Sequence, residues 1–299
     1  MTPTQLKAKV KNISREKEVD PQLVLRHFMM EKFLEKISES PYHDKFVLKG
    51  GFLIGSKYGI ENRTTKDIDT TLREMKVTRE TLTDVLTDIF SEPTKEGILF
   101  EIQSIKETRE ADYYPGFSLR VLAHLENMRP DFKVDVTTGD SIYPETIVHS
   151  HKLMFEDRTI SLESYPTEQI IAEKLSATFD FLTDNSRGKD FYDLYTIPKM
   201  EIIDEKTLKD SVRNTFSRRG KTELLKVYYA KEMDVLRNSP ELKETWGKYQ
   251  KSNPYAATIT YDDTMASISG LMEKIIGVEE KERKLHYKRT QHMNREMER

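Results

Sequence analysis

The chain has 299 residues, 36% of them hydrophobic and 33% charged, with a formal net charge of −3 and no cysteine. That length can bury a substantial core and fits two domains. The absence of cysteine excludes disulfides, thiolate catalysis and Cys-ligated zinc. No stretch approaches the ~20 apolar residues of a membrane span, and the N-terminus lacks an apolar signal-peptide core. A cytoplasmic protein is the expectation.

The first forty residues read as helical. Asp20-Pro21 is a helix start, an N-cap acceptor followed by proline in the first turn, and Leu23, Phe28, Phe33, Leu34 and Ile37 form an apolar stripe that lasts to Ser40-Pro41. A strand over Phe46–Lys49 then runs into Gly50-Gly51 and a short helix, and a second strand opens at Asp67-Ile68-Asp69. A helix fits Arg79–Phe90, with Leu82, Val85, Leu86 and Ile89 on one face. Strand patterns follow at Ile98–Ile105, Phe117–Leu125 and Phe132–Thr137. Beyond Tyr165-Pro166 the pattern is helical: Ile171, Leu175, Phe179 and Leu182 mark one buried face, a second helix begins near Asp190, and others cover roughly 205–217, 221–237 and 264–277. Residues 279–299 read as a solvated helix or frayed tail. The predicted class is α+β, with a domain over 1–164 and a helical domain over 165–299.

Gly50-Gly51 followed by Asp67-Ile68-Asp69 has the parts that nucleotidyl transfer needs. Glycines let backbone N–H groups approach a triphosphate, and a helix N-terminus favours the anion. Alternate residues of a strand face the same way, roughly 7 Å apart. Asp67 and Asp69 can therefore share two divalent cations about 3.5–4 Å apart, the arrangement for in-line displacement at phosphorus. Asp135 lies in the strand where Phe132, Val134 and Val136 face one way and Lys133, Asp135 and Thr137 the other. It reads either as an exposed strand residue or as a third metal carboxylate.

Two further motifs lie in the second half. In Thr167-Glu168-Gln169-Ile170-Ile171-Ala172-Glu173-Lys174-Leu175, Lys174 flanks the apolar stripe. It reads as a snorkelling lysine or as a point charge for a triphosphate in an interdomain cleft. In Arg187-Gly188-Lys189-Asp190-Phe191-Tyr192-Asp193-Leu194, Asp190 and Asp193 share a helix face, as a capping box or as a functional pair. Arg187 with Lys189, and Arg213, Arg218 and Arg219 with Lys221, are candidate cationic patches for nucleic acid or ordinary solvated clusters. His149 and His151 have the spacing of a strand-borne ligand pair but no third partner, which favours a structural role. Trp246 reads as a packing anchor.

In this order, Leu48-Lys49-Gly50-Gly51, Thr65-Lys66-Asp67-Ile68-Asp69, Thr167–Lys174 and Lys189-Asp190-Phe191-Tyr192-Asp193-Leu194 resemble the AbiEii/AbiGii family. Its members are nucleotidyltransferase-like toxins of bacterial abortive-infection and toxin–antitoxin systems. The resemblance covers about residues 20–200. It implies a DNA-polymerase-β-type nucleotidyltransferase core with a mainly helical C-terminal domain. It assigns metal binding (Mg²⁺ or Mn²⁺) to Asp67 and Asp69, and essential roles to Lys174 and Asp190, while Asp135 stays a positional inference. Gly50, Gly51, Lys174 and Asp193 are the nucleotide-binding candidates. The implied substrates are an NTP, GTP in some relatives, and an RNA acceptor, the tRNA 3′ end in others. The implied partner is an antitoxin encoded alongside, without a stable complex. The residues also leave open an NTP-binding sensor without transfer and a transferase with a small-molecule acceptor.

Overall fold

The computed structural model describes residues 1–108, 116–184, 187–218, 220 and 229–277. The chain divides into two compact units, Met1–Asp140 with Glu145–Tyr165, and Ser141–Pro144 with Pro166–Arg299. Expectations for Arg219, Lys221 and 279–299 lie outside the described residues.

The first unit is built on a seven-stranded mixed sheet. Its elements are α1 (Pro3–Glu16), α2 (Pro21–Ser38), β1 (Phe46–Lys49), α3 (Gly50–Tyr58), β2 (Asp67–Leu72), α4 (Arg79–Ile89), β3 (Leu99–Thr108), β4 (Gly116–His124), β5 (Asp131–Thr138), β6 (Ile147–Lys152) and β7 (Thr159–Ser164). The strand order is β3-β4-β5-β2-β1-β7-β6. Strands β2 and β5 pair in parallel, as do β1 and β7, and the other pairs are antiparallel.

Helix α2 starts as Asp20-Pro21 dictates: the Asp20 carboxylate accepts from the backbone N–H groups of Gln22 and Leu23 at 2.7 and 3.2 Å, which satisfies two orphan donors of the first turn. It ends at Ser38, short of Ser40-Pro41. The side chains of Phe132, Val134 and Val136 are buried, and Phe33 of α2 meets Phe132 edge-on at 5.5 Å and stacks on Phe90 at 4.4 Å. Burial of this face, at roughly 1.5–3 kcal/mol for each large apolar side chain, fixes the other face of β5 outward.

The second unit contains α5 (Thr167–Phe181), α6 (Gly188–Met200), α7 (Glu205–Arg218) and helices over Tyr229–Asn238, Pro240–Ser252 and 261–277. Trp246 is buried, donates its ring N–H to the Ile259 carbonyl at 3.0 Å and stacks on Tyr249. No helix among the described residues is long and apolar enough to cross a membrane.

Candidate active site

The glycine pair opens α3. Lys49 contributes no side-chain cap, since an ammonium cannot accept from an N–H, so the first turn presents backbone donors and the positive end of the helix dipole. Gly50 has φ +68°, and a Cβ there would lie 2.6 Å from Asp69 Cγ. Glycine is therefore required twice over, for the left-handed backbone and for room beside the carboxylate. A Cβ on Gly51 would lie 2.9 Å from Thr65 Oγ1 and 3.3 Å from an Arg63 guanidinium nitrogen. The backbone strain in Gly50→Ala alone is about 1–2 kcal/mol. We expect that variant to lose at least this much in denaturant unfolding, and more because Asp69 must move.

Asp67 and Asp69 share one face of β2. Asp69 pairs in register with Asp135 of β5 on one side and with Lys49 of β1 on the other. The register thus puts three carboxylates and a lysine on one face of three adjacent strands. Asp135 accepts from Lys133 Nζ at 2.8 Å, and Asp67 from the Thr65 hydroxyl. The donor set fits a divalent cation in kind, because hard carboxylate oxygens suit Mg²⁺ or Mn²⁺. Among the described residues no three His, Cys, Asp or Glu side chains are drawn close enough to coordinate one ion. The face is set, while Asp135 is held by Lys133.

Further along the same face lies a polar network that the motifs did not reveal. Lys49 donates to Thr137 at 2.7 Å, pairs with Asp140 and lies over the Tyr165 ring. Asp140 also accepts from Thr137 at 2.6 Å, from Tyr165 at 3.1 Å and from Thr71. Burial pushes the Asp140 carboxyl up, but the Lys49 charge and these donors outweigh it and hold it well below the usual carboxylate range. Buried Arg63, two residues before the second motif, is a further residue without a role assigned from sequence. The only sequence signal for it is an arginine preceding the acidic strand.

In the second unit Lys174 is 9% exposed. Its ammonium is 2.9 Å from Asp190 Oδ1 and 2.6 Å from Asp193 Oδ2. This corrects two readings. Lys174 is not a snorkelling surface lysine, and Asp190 with Asp193 is not a capping box. Helix α6 begins earlier, at Gly188, with Arg187 as N-cap and no side-chain cap. Gly188 is explained by packing, since a Cβ there would lie 2.6 Å from Tyr249 Cβ. Asp190 Oδ2 is buried without a hydrogen-bond partner among the described residues, 3.9 Å from Arg187 Nη1. A buried acceptor without a hydrogen bond costs about 1–3 kcal/mol, more for a charge, and the Arg187 guanidinium answers that charge in part.

His149 and His151 both hydrogen-bond Ser56, at 2.7 and 2.5 Å, and His151 reaches Glu31 at 3.1 Å. They knit β6 to α2 and α3, a structural role.

The profile of the nucleotidyl transferase AbiEii toxins, type IV toxin–antitoxin system, matches residues 32–267. The crystal structure of JHP933 from Helicobacter pylori aligns with 90% of this chain and 99% of its own, at 17% identity and TM-score 0.50. At that identity the likeness shows a shared fold. A second H. pylori structure, described as a candidate nucleotidyltransferase, covers 88% of this chain and 98% of its own at 17% identity and TM-score 0.47, too distant to carry an argument. No curated protein matches. The profile spans all four motifs and most of both units, and the chain belongs to the AbiEii family of nucleotidyl transferase toxins of type IV toxin–antitoxin systems.

Proposed function

We propose that this chain is a metal-dependent nucleotidyltransferase toxin that transfers a nucleotide from an NTP to RNA, the tRNA 3′ end in particular, and so arrests translation and growth. The observation that carries the reading is the approach of Asp69 to Gly50: the acidic strand and the donor-rich start of α3 converge on one point. In this reading Gly50 and Gly51 seat the β- and γ-phosphates on backbone donors. Asp67 and Asp69, with Asp135, would hold Mg²⁺ or Mn²⁺, which when bound supplies charge neutralisation at the phosphates and activation of the acceptor hydroxyl. Lys49, tied to Asp140, fixes β1 beside Asp69. In the second unit Lys174 is a compact charge suited to a phosphate, and Asp190 with Asp193 holds its ammonium in place. The antitoxin is encoded alongside and acts without a stable complex.

The test incubates the protein with α-labelled NTPs, Mg²⁺ and total RNA. Wild type is expected to label RNA. Asp69→Asn, similar in size but uncharged, is expected to label it at least 10²–10³-fold more slowly, the scale of losing a preorganised charge. RNA left unlabelled by the wild type, or labelled equally by both proteins, would sink the reading. Label entering a small molecule instead would move the acceptor to that class, and nucleotide bound without turnover would leave a GTP- or NTP-binding toxin.

A further inference from the structure

On the first unit a groove of about 410 Å³ is lined by Arg26, Lys66, Lys106, Arg120 and Lys133, with Asp131 its one carboxylate. This concentration runs against the sign of the whole chain. The register shows which face it occupies. Lys133 pairs with Asp67 and with Arg120, Ser118 pairs with Asp135, and Lys106 pairs with Ser118. Directly paired residues point the same way, so the cations of β3, β4 and β5 share the sheet face of Asp67, Asp69 and Asp135. The groove begins beside the acidic pair and crosses three strand spacings, roughly 14 Å.

Building on the nucleotidyl-transfer reading, we propose that this groove is the docking track for the acceptor RNA, which it holds by its phosphate backbone. The charges come from five separate elements and are spread along an open surface, so they do not converge as a clamp on a single phosphate would. Asp131 is shared by Arg26 and Arg120, the latter at 2.8 Å, which fixes those two side chains. Lys66 and Lys106 are exposed and have no partner among the described residues, as expected of cations that meet phosphates. The one aromatic in the lining, Phe132, is buried in the core and offers no stacking platform. Binding through phosphates without base stacking is insensitive to sequence and strongly dependent on salt. The acceptor is then held by the sheet unit, beside the acids.

The test measures binding of a 5′-labelled tRNA from 50 to 200 mM salt by fluorescence anisotropy. It compares wild type, Lys66→Ala/Lys106→Ala, the double arginine variant at the same positions, and Lys7→Ala/Lys11→Ala as a control on α1. Removing two phosphate contacts is expected to weaken binding roughly tenfold at 0.15 M salt and to lower the salt slope by about 1.4–1.8. The arginine variant and the α1 control should match wild type, and NTP affinity without RNA should be unchanged in all. Equal RNA affinity and slope in the double alanine variant overturns the groove. So does an equal loss of NTP affinity, which would make it a nucleotide site. Polyglutamate competing as well as RNA would assign it to an acidic protein instead. A wild type that labels RNA while the double variant labels it equally well defeats the groove alone, whereas a wild type that neither binds nor labels RNA defeats the transfer reading too.

Discussion

Lys174→Met is expected to lower the unfolding free energy by about 3–5 kcal/mol, because it leaves Asp190 and Asp193 as two buried carboxylates with their shared cation gone. The proposed transfer is expected to be lost as well, and that loss is ambiguous, since an unfolded toxin is also harmless. The ambiguity can be resolved. Lys174→Met combined with Asp190→Leu and Asp193→Leu replaces the whole buried ion cluster with apolar groups of similar volume, a change that is often neutral or stabilising. The triple variant is expected to recover most of the lost stability in urea unfolding and to remain inactive. Recovery of both stability and RNA labelling would make the cluster purely structural and remove Lys174, Asp190 and Asp193 from the catalytic machinery.

The strand–helix–strand over residues 46–72 was legible because each of its signals is local. The apolar run ends in two glycines, and the acids alternate along the next strand. What could not be read is register. Asp69 meets Asp135 only because β5 crosses to lie parallel to β2, and no local pattern encodes that pairing. Asp140 is hidden for the same reason. It follows a strand as an ordinary loop acid, and only the fold brings Lys49, Thr71, Thr137 and Tyr165 onto it. The periodicity of α5 placed Lys174 at the edge of the apolar stripe, but whether that edge faces water or two carboxylates depends on α6. The capping-box reading failed because the helix gains a turn at Gly188, where close packing on Tyr249 permits it. Cationic residues close in sequence, such as Arg187 and Lys189, drew attention to the second unit. The groove instead gathers single charges from α2, β3, β4, β5 and the loop before β2.

Acidification should act on the first unit through His27. This imidazole is buried and stacks on Phe52 of α3 with ring centroids 4.6 Å apart. Burial first, and the nearby His151 charge second, push its pKa down to about 3 from the ordinary 6.5. The folded state therefore refuses a proton that the unfolded chain accepts below pH 6.5. The stability this confers is full above that pH and is lost as pH falls towards 3, at about 1.4 kcal/mol per pH unit. Between pH 7.5 and 5 the group alone should remove about 2 kcal/mol. The depressed carboxylates Asp140 and Glu156 leave this window clear, because their contributions fade only below their ordinary values of 3.8 and 4.5. Urea unfolding of wild type and His27→Phe at both pH values isolates the effect, since phenylalanine keeps the ring on Phe52 and cannot titrate. The variant is expected to be flatter over the window by that amount, and equal slopes in the two proteins would remove His27 as the cause. Phe52 follows directly on Gly50-Gly51 in the first turn of α3, so a proton on His27 disturbs the helix whose N-terminus is proposed to seat the triphosphate. Nucleotide affinity should then fall with stability on acidification in the wild type, and fall less in His27→Phe.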